Sequence, residues 1–240
     1  MIRKMLLISL TALITISPAD YRLWSLEETI KPADLKTLTV WQALPDDGLT
    51  DFTFGNEGDC LIQNPESILI QDCANPQSEP KWLSDETWQV KEAVIADLNR
   101  DGWNELAMVV WRPFKPWPID SFMPHGGRID DFHDRRGQSC HLILVGWDGE
   151  VYRELWAGSA LIDPVFNIRA VDLDGDGLQE LAALEGQYDA TRQTGSLTVW
   201  DWNGFGFRLR DRVVGSFNDF GIIWMDNNVL IVTNFGQEEK

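Results

Sequence analysis

Two stretches of this 240-residue chain carry side chains whose types and spacing suit chemistry: Asp97-Leu-Asn-Arg-Asp-Gly-Trp-Asn-Glu-Leu106 and Asp172-Leu-Asp-Gly-Asp-Gly-Leu-Gln-Glu-Leu181. Positions 1, 3, 5 and 9 hold oxygen-bearing side chains: Asp97, Asn99, Asp101 and Glu105 in one stretch, Asp172, Asp174, Asp176 and Glu180 in the other. Carboxylates this close repel one another unless a cation sits among them, and an all-oxygen donor set suits a hard cation such as Ca2+. Gly102 and Gly177 at position 6 can take the left-handed backbone that a tight loop needs. The chemistry indicated is binding, not a reaction.

The rival pattern, the EF-hand, closes with a bidentate Glu at position 12 between two helices. Met108 and Ala183 stand at that position here, so Glu105 and Glu180 must be the closing ligands. The flanks also read as strands. Val94-Ile-Ala96 enters the first loop and Leu106-Ala-Met-Val-Val-Trp111 leaves it, while Ile168-Arg-Ala-Val171 and Leu181-Ala-Ala-Leu184 flank the second. Short apolar runs bounded by turn residues are strand signals.

A repeat extends around each loop. Cys140-His-Leu-Ile-Leu-Val-Gly-Trp-Asp-Gly149 matches Ser196-Leu-Thr-Val-Trp-Asp-Trp-Asn-Gly204, and Val151–Trp156 matches Phe205–Arg210 as the following strand. Asp-Gly and Asn-Gly after apolar runs mark hairpin turns. A partial third copy runs from Phe217 through Val229-Leu-Ile-Val-Thr233 without the acidic spacing, so no cation is expected there. The expectation is an all-β fold, a small β-propeller of four or at most five four-stranded blades, with a β-sandwich or solenoid of the same repeats as the alternative. Leu38-Thr-Val-Trp41 duplicates Leu197-Thr-Val-Trp200, and the two chain ends are expected to complete one blade together.

The pattern Asp-x-[Asp/Asn]-x-Asp-Gly-x-x-Glu-Leu between two strands resembles the FG-GAP/VCBS repeats of integrin-α-type β-propellers. The resemblance covers residues 88 to 235 as repeats, and residues 37 to 85 show no intact loop. It implies two Ca2+ sites, with the backbone carbonyls of Trp103 and Leu178 at position 7 joining the side-chain ligands. By charge count the first site, with neutral Asn99, binds more weakly. Such ions serve as structural staples of the scaffold.

A formal charge of -18 and a pI near 4.4 argue against nucleic acid and anionic membrane surfaces as partners. Arg3 and Lys4, the apolar run from Met5 to Ile16 and Ser17-Pro-Ala19 read as a signal peptide over residues 1–19, with an uncleaved N-terminal anchor as the alternative. The protein is therefore expected outside the cell, in the periplasm or at the cell surface. Residues 20–36 read as a linker or short helix, and 37–240 as the folded domain. Export makes a Cys60–Cys73 disulfide possible, which leaves Cys140 free; three buried thiols are the alternative.

Residues 112–139 form an insertion that the second unit lacks, and all three histidines lie between Pro124 and His141. Long loops on rigid scaffolds concentrate function. Trp117, His125, Arg128, Asp131, His133, Arg135 and His141 are candidate ligand-binding residues. Trp111, Trp147, Trp156, Trp200 and Trp202 surround the same part of the repeat, either as blade filler or as a sugar or peptide platform. The leading expectation is a non-enzymatic module binding a protein or glycan at the face that carries the insertion. One rival is a polysaccharide-acting hydrolase or lyase using the histidines; another is a structural subunit with both faces covered by a second chain.

Overall fold

The computed structural model describes residues 21–33, 58–63, 67–115, 132–225 and 228–235. Its elements, in chain order, are β1 (Tyr21–Leu26), β2 (Ile30–Pro32), β3 (Asp59–Gln63), β4 (Ile68–Asp72), β5 (Trp82–Leu83), β6 (Gln89–Ala96) and β7 (Glu105–Pro113). They continue as β8 (Gln138–Trp147), β9 (Tyr152–Ala157), β10 (Val165–Val171), β11 (Glu180–Glu185), β12 (Gly195–Trp202), β13 (Phe207–Met225) and β14 (Asn228–Phe235). The fold is all-β, with no helix among the described residues.

Three antiparallel sheets hold these strands, in the orders β3-β4-β5, β6-β7-β8-β9 and β10-β11-β12-β13-β14-β1-β2. The seven-stranded sheet divides at the long β13. Its first part pairs with β12 as far as Phe217, with a register shift after Val213, and Phe217 to Met225 pair with β14. Asn167 donates to Asp219 at 2.5 Å and Arg169 lies over the Phe220 ring, so the later part of β13 lies beside β10. β10 in turn lies against β6.

The apolar runs that looked like buried strands form the middle of each unit, and their alternation decides what packs on what. In β7, Leu106, Met108 and Val110 share a core with Leu61, Ile68 and Ile70 of the three-stranded sheet. Ala107 and Val109, on the opposite face, pack with Ile168, Leu181 and Ala183. In β11 the alternate residues Ala182 and Leu184 pack with Trp24, Leu26, Phe220 and Ile222. Sheets so covered on both faces read as continuous apolar runs, and each large side chain buried contributes about 1.5–3 kcal/mol. The order of stacking is β3-β4-β5, then β6 to β9, then β10 to the start of β13, then the end of β13 with β14, β1 and β2.

That last group joins the two ends of the described chain, with Tyr21↔Asn234 and Trp24↔Ile231 in register. The strand beside β14 is therefore β1, taken from the stretch read as linker. Leu23, Trp24 and Leu26 are all nearly fully buried, which a linker would not be, and Trp24 Nε1 donates to Thr233 Oγ1 at 2.9 Å. Leu38–Trp41, expected in this role, lies outside the described residues, as do residues 1–19 and the candidate strand 51–54.

Cys60 and Cys73 are disulfide-bonded across the β3–β4 hairpin, and Cys140 is a buried free thiol. Buried Asp59 ties this sheet to the next: it accepts from Lys81 Nζ at 2.5 Å and from Tyr152 Oη of β9 at 2.8 Å.

Candidate metal centre

Each acidic loop closes an antiparallel hairpin at the same register, Ala96↔Glu105 in one and Val171↔Glu180 in the other. Both loops take left-handed backbone at positions 4 and 6: Arg100 (φ 68) and Gly102 (φ 90), Gly175 (φ 80) and Gly177 (φ 88). Arg100 pays a steric cost of about 1–2 kcal/mol for this, which the glycine of the sister loop avoids.

Hydrogen bonds fold each loop around its carboxylates. Asp97 accepts from the N–H groups of Asp101 (3.1 Å) and Gly102 (3.0 Å), and Asp172 from those of Gly175 (2.7 Å) and Gly177 (2.9 Å). Position 5 accepts from position 7, with Trp103 N–H to Asp101 and Leu178 N–H to Asp176 both at 2.8 Å. Asn99 Oδ1 accepts from Asp101 N–H at 2.9 Å, and Asp174 from Asp176 N–H at 3.2 Å. Leu98 and Leu173 at position 2 turn inward and are buried. The loops lie side by side, because Asp97 N–H donates to Gln179 Oε1 at 2.8 Å.

The closing glutamates are the unusual groups. Both are fully buried. Glu105 Oε2 accepts from Leu98 and Asn99 N–H at 2.9 and 3.1 Å, and Glu180 Oε2 from Leu173 N–H at 2.8 Å. The other oxygen, Oε1, has no hydrogen-bond partner in either residue. Burial pushes the Glu105 carboxyl up to about 7, with the charges of Asp101 and Asp97 adding to the effect. Glu180 is also pushed up to about 7 by burial, with Asp174 raising it further and Arg210 opposing.

A buried carboxylate oxygen without a donor is costly unless something positive meets it. Carboxylate oxygens of Asp97, Asp101 and Glu105 lie within 4.8 Å of one another. Two ligands on one Ca2+, each at 2.3–2.6 Å, are at most about 5 Å apart, so this trio fits a hard cation. In the second loop the oxygens that meet this spacing come from Asp172, Asp174 and Asp176. Sequence reasoning missed Gln179, which couples the loops, and Arg210, which ion-pairs Asp174 at 2.7 Å and Glu180 at 3.7 Å.

The insertion lies at the opposite end of the strands, since it joins the end of β7 to the start of β8. Trp117, His125, Arg128 and Asp131 are outside the described residues. His133 packs against Phe114, with ring centroids 5.1 Å apart, and its Nδ1 meets the Asp134 carbonyl at 2.7 Å. The Arg135 N–H donates to the Asp189 carboxylate at 3.0 Å, tying the insertion to the β11–β12 connection.

His141 belongs to a separate, buried cluster. Its Nδ1 lies 2.9 Å from the Gly158 carbonyl, which fixes the proton there, so Nε2 accepts from Ser139 Oγ at 2.7 Å. Ser139 is fully buried, which makes this a structural pair and not an accessible nucleophile. Desolvation lowers the His141 imidazole to about 4, aided by Arg112 and opposed by the Gly158 carbonyl. A histidine neutral in the fold but protonated when unfolded costs stability as pH falls from about 6.5 through 4, about 3 kcal/mol in all. NMR titration should show His141 ring signals of the neutral form at pH 5; a midpoint near 6.5 would refute the buried cluster.

The tryptophans around the repeat are filler. Trp111, Trp156, Trp200 and Trp202 pack against one core and Trp147 against another. Trp156, Trp202 and Phe207 meet edge to face. Among the described residues the most exposed aromatic side chains are instead Trp103 in the first cation loop (48%), Phe205 in the β12–β13 turn (87%) and Trp224 near the end of β13 (49%).

No protein-family model matches the chain, and no curated protein matches it significantly.

Proposed function

We propose that the chain is an exported, calcium-stabilised β-propeller module of four blades that binds a protein or glycan. The observation that carries the calcium reading is the buried Glu105 carboxylate, which has an oxygen within 4.8 Å of the Asp97 and Asp101 carboxylates and an Oε1 without a hydrogen-bond partner, on a loop whose backbone is repeated at Asp172–Glu180. The propeller reading is supported by the stacking of successive four-stranded units, with first strands β6, β10 and the later part of β13 side by side, and by the joining of the chain ends in one unit. The Cys60–Cys73 disulfide suits an oxidising, extracytoplasmic compartment.

The ligand surface is assigned to the insertion end, where Arg135 is anchored by Asp189 of the β11–β12 connection and His133 packs on Phe114. The exposure of Trp103 and Phe205 favours the cation-loop end as a second reading. The hydrolase or lyase reading gains no support among the described residues, because His133 and His141 make separate sets of contacts. A glycan array probed in excess Ca2+ with wild type and with a variant whose residues 116–131 are replaced by a short Gly-Ser linker tests the assignment. Loss of signal in the variant is expected. Retention would move the site to the cation-loop end, and no signal from either would make the ligand a protein.

A further inference from the structure

The two loops share a backbone but not the wall behind their closing glutamates. In the first unit Trp147 pairs with Tyr152 and Gly146 with Arg153; in the second Trp202 pairs with Phe207 and Asp201 with Arg208. Gly146 is therefore the counterpart of Asp201. Counting on from Tyr152 and from Phe207, Leu155 is the counterpart of Arg210, and each falls where its ladder skips a residue.

The wall behind Glu105 is thus apolar. A Cβ placed on Gly146 would come within 2.6 Å of Leu155 Cδ1 and 3.2 Å of Glu105 Cγ, so the three residues are packed together. None of the described Lys or Arg side chains forms an ion pair with Asp97, Asp101 or Glu105. Behind Glu180 stands a guanidinium. Arg210 Nη2 donates to Asp174 Oδ2 at 2.7 Å, and Nη1 lies 3.7 Å from Glu180 Oε1 and 3.6 Å from Asp201 Oδ1. Nη2 also donates to the Glu27 carbonyl, between β1 and β2. Arg210 is held from three sides, its side chain only 18% exposed.

We propose that the loops are unequal: Asp97–Glu105 is the tight divalent-cation site, and in Asp172–Glu180 the Arg210 guanidinium stands in for the metal on Asp174 and Glu180. The inference rests on the calcium reading and reverses the order that charge counting gives. The extra carboxylate credited to the second loop, Asp174 in place of Asn99, is the one Arg210 neutralises. Asp201 adds little, since it is itself paired with Arg208 at 3.0 Å. A divalent ion entering the second loop meets like charge on two of its four side-chain ligands, and the repulsion is twice that between single charges. Arg210 also fastens the β1–β2 turn to this loop, a bond that a displaced guanidinium would give up.

Calorimetric titration of the chelator-treated protein with Ca2+ tests this. Wild type should bind one equivalent tightly and a second at least about tenfold more weakly. Asp101→Asn should abolish the tight equivalent and Asp176→Asn should leave it. Arg210→Leu, which copies the sister position, should tighten the second equivalent about tenfold or more, and Leu155→Arg should weaken the first. The wild-type titration and Leu155→Arg stand even if Arg210→Leu folds poorly. Two equivalents of equal affinity, or loss of the tight one on Asp176→Asn, would overturn the proposal while leaving calcium binding intact. No heat from any titration would overturn the calcium reading itself.

Discussion

Excess EDTA is expected to lower the melting temperature of the protein by about 5–10 °C, and Ca2+ in excess of the chelator to restore it. A ligand bound only by the folded state stabilises it by RT ln(1 + [L]/Kd), about 2.7 kcal/mol at a hundredfold excess over Kd. For a domain of this size each kcal/mol shifts the midpoint by about 2–4 °C. The chain has reason to respond this strongly. The first loop holds the buried Glu105 carboxylate near Asp97 and Asp101 and leaves its Oε1 without a hydrogen-bond partner. Mg2+ should restore less, since it demands a smaller, near-octahedral site and gives up its water reluctantly. Identical melting curves with and without chelator would mean that the N–H bonds to Asp97 and Asp172 suffice to hold the loops.

The strands around these loops were legible because their chemistry is local. Four to six consecutive apolar residues between turn residues leave little choice but a buried strand, and β7, β8 and β11 fall on such runs. The repeat of Asp, Asp/Asn, Asp and Glu around Gly aligned the two hairpins correctly. The left-handed position 4 was also readable, but only from the second copy, where it is Gly175; Arg100 conceals it.

What escaped depends on partners distant in sequence. Tyr21-Arg-Leu-Trp-Ser-Leu26 looks like a charged linker until β14 supplies the ladder and Phe217 the edge-to-face contact for Trp24. The duplicated Leu-Thr-Val-Trp drew attention to residues 38–41 instead. β13 serves two units as one 19-residue strand, although the sequence separates Phe205–Arg210 of one unit from the copy that starts at Phe217. Arg210 and Leu155 become counterparts only through the ladder, where a skipped residue in each pair carries both side chains toward a glutamate. The tryptophans read two ways in sequence because an indole fills a core and lines a sugar site equally well; burial against core clusters decides for packing at Trp111, Trp147, Trp156, Trp200 and Trp202.

Glu105→Gln should raise the melting temperature of the metal-free protein and abolish most of its response to Ca2+. The amide oxygen can still accept from Leu98 and Asn99 N–H, so the loop keeps its turn. The substituted side loses a charge that burial, Asp101 and Asp97 all oppose. It gains an N–H2 group able to donate to carboxylate oxygens within 4.8 Å. A gain of about 1 kcal/mol, or about 2–4 °C, is expected without metal. With metal the loop loses its closing ligand, and affinity should fall about 100-fold, enough to cancel the stabilisation that Ca2+ provides. Glu180→Gln should gain less without metal, because burial disfavours that charge as well but Arg210 opposes the effect. There the carboxylate faces Arg210 Nη1 at 3.7 Å, and neutralising it leaves a largely buried guanidinium with one fewer counter-charge. A larger gain at Glu105 than at Glu180 for the same chemical change would show that the first loop leaves a place for a cation and the second partly fills it from within the chain. Destabilisation by both substitutions would remove the basis for a cation at Glu105, because its lone oxygen would then be no burden to the fold.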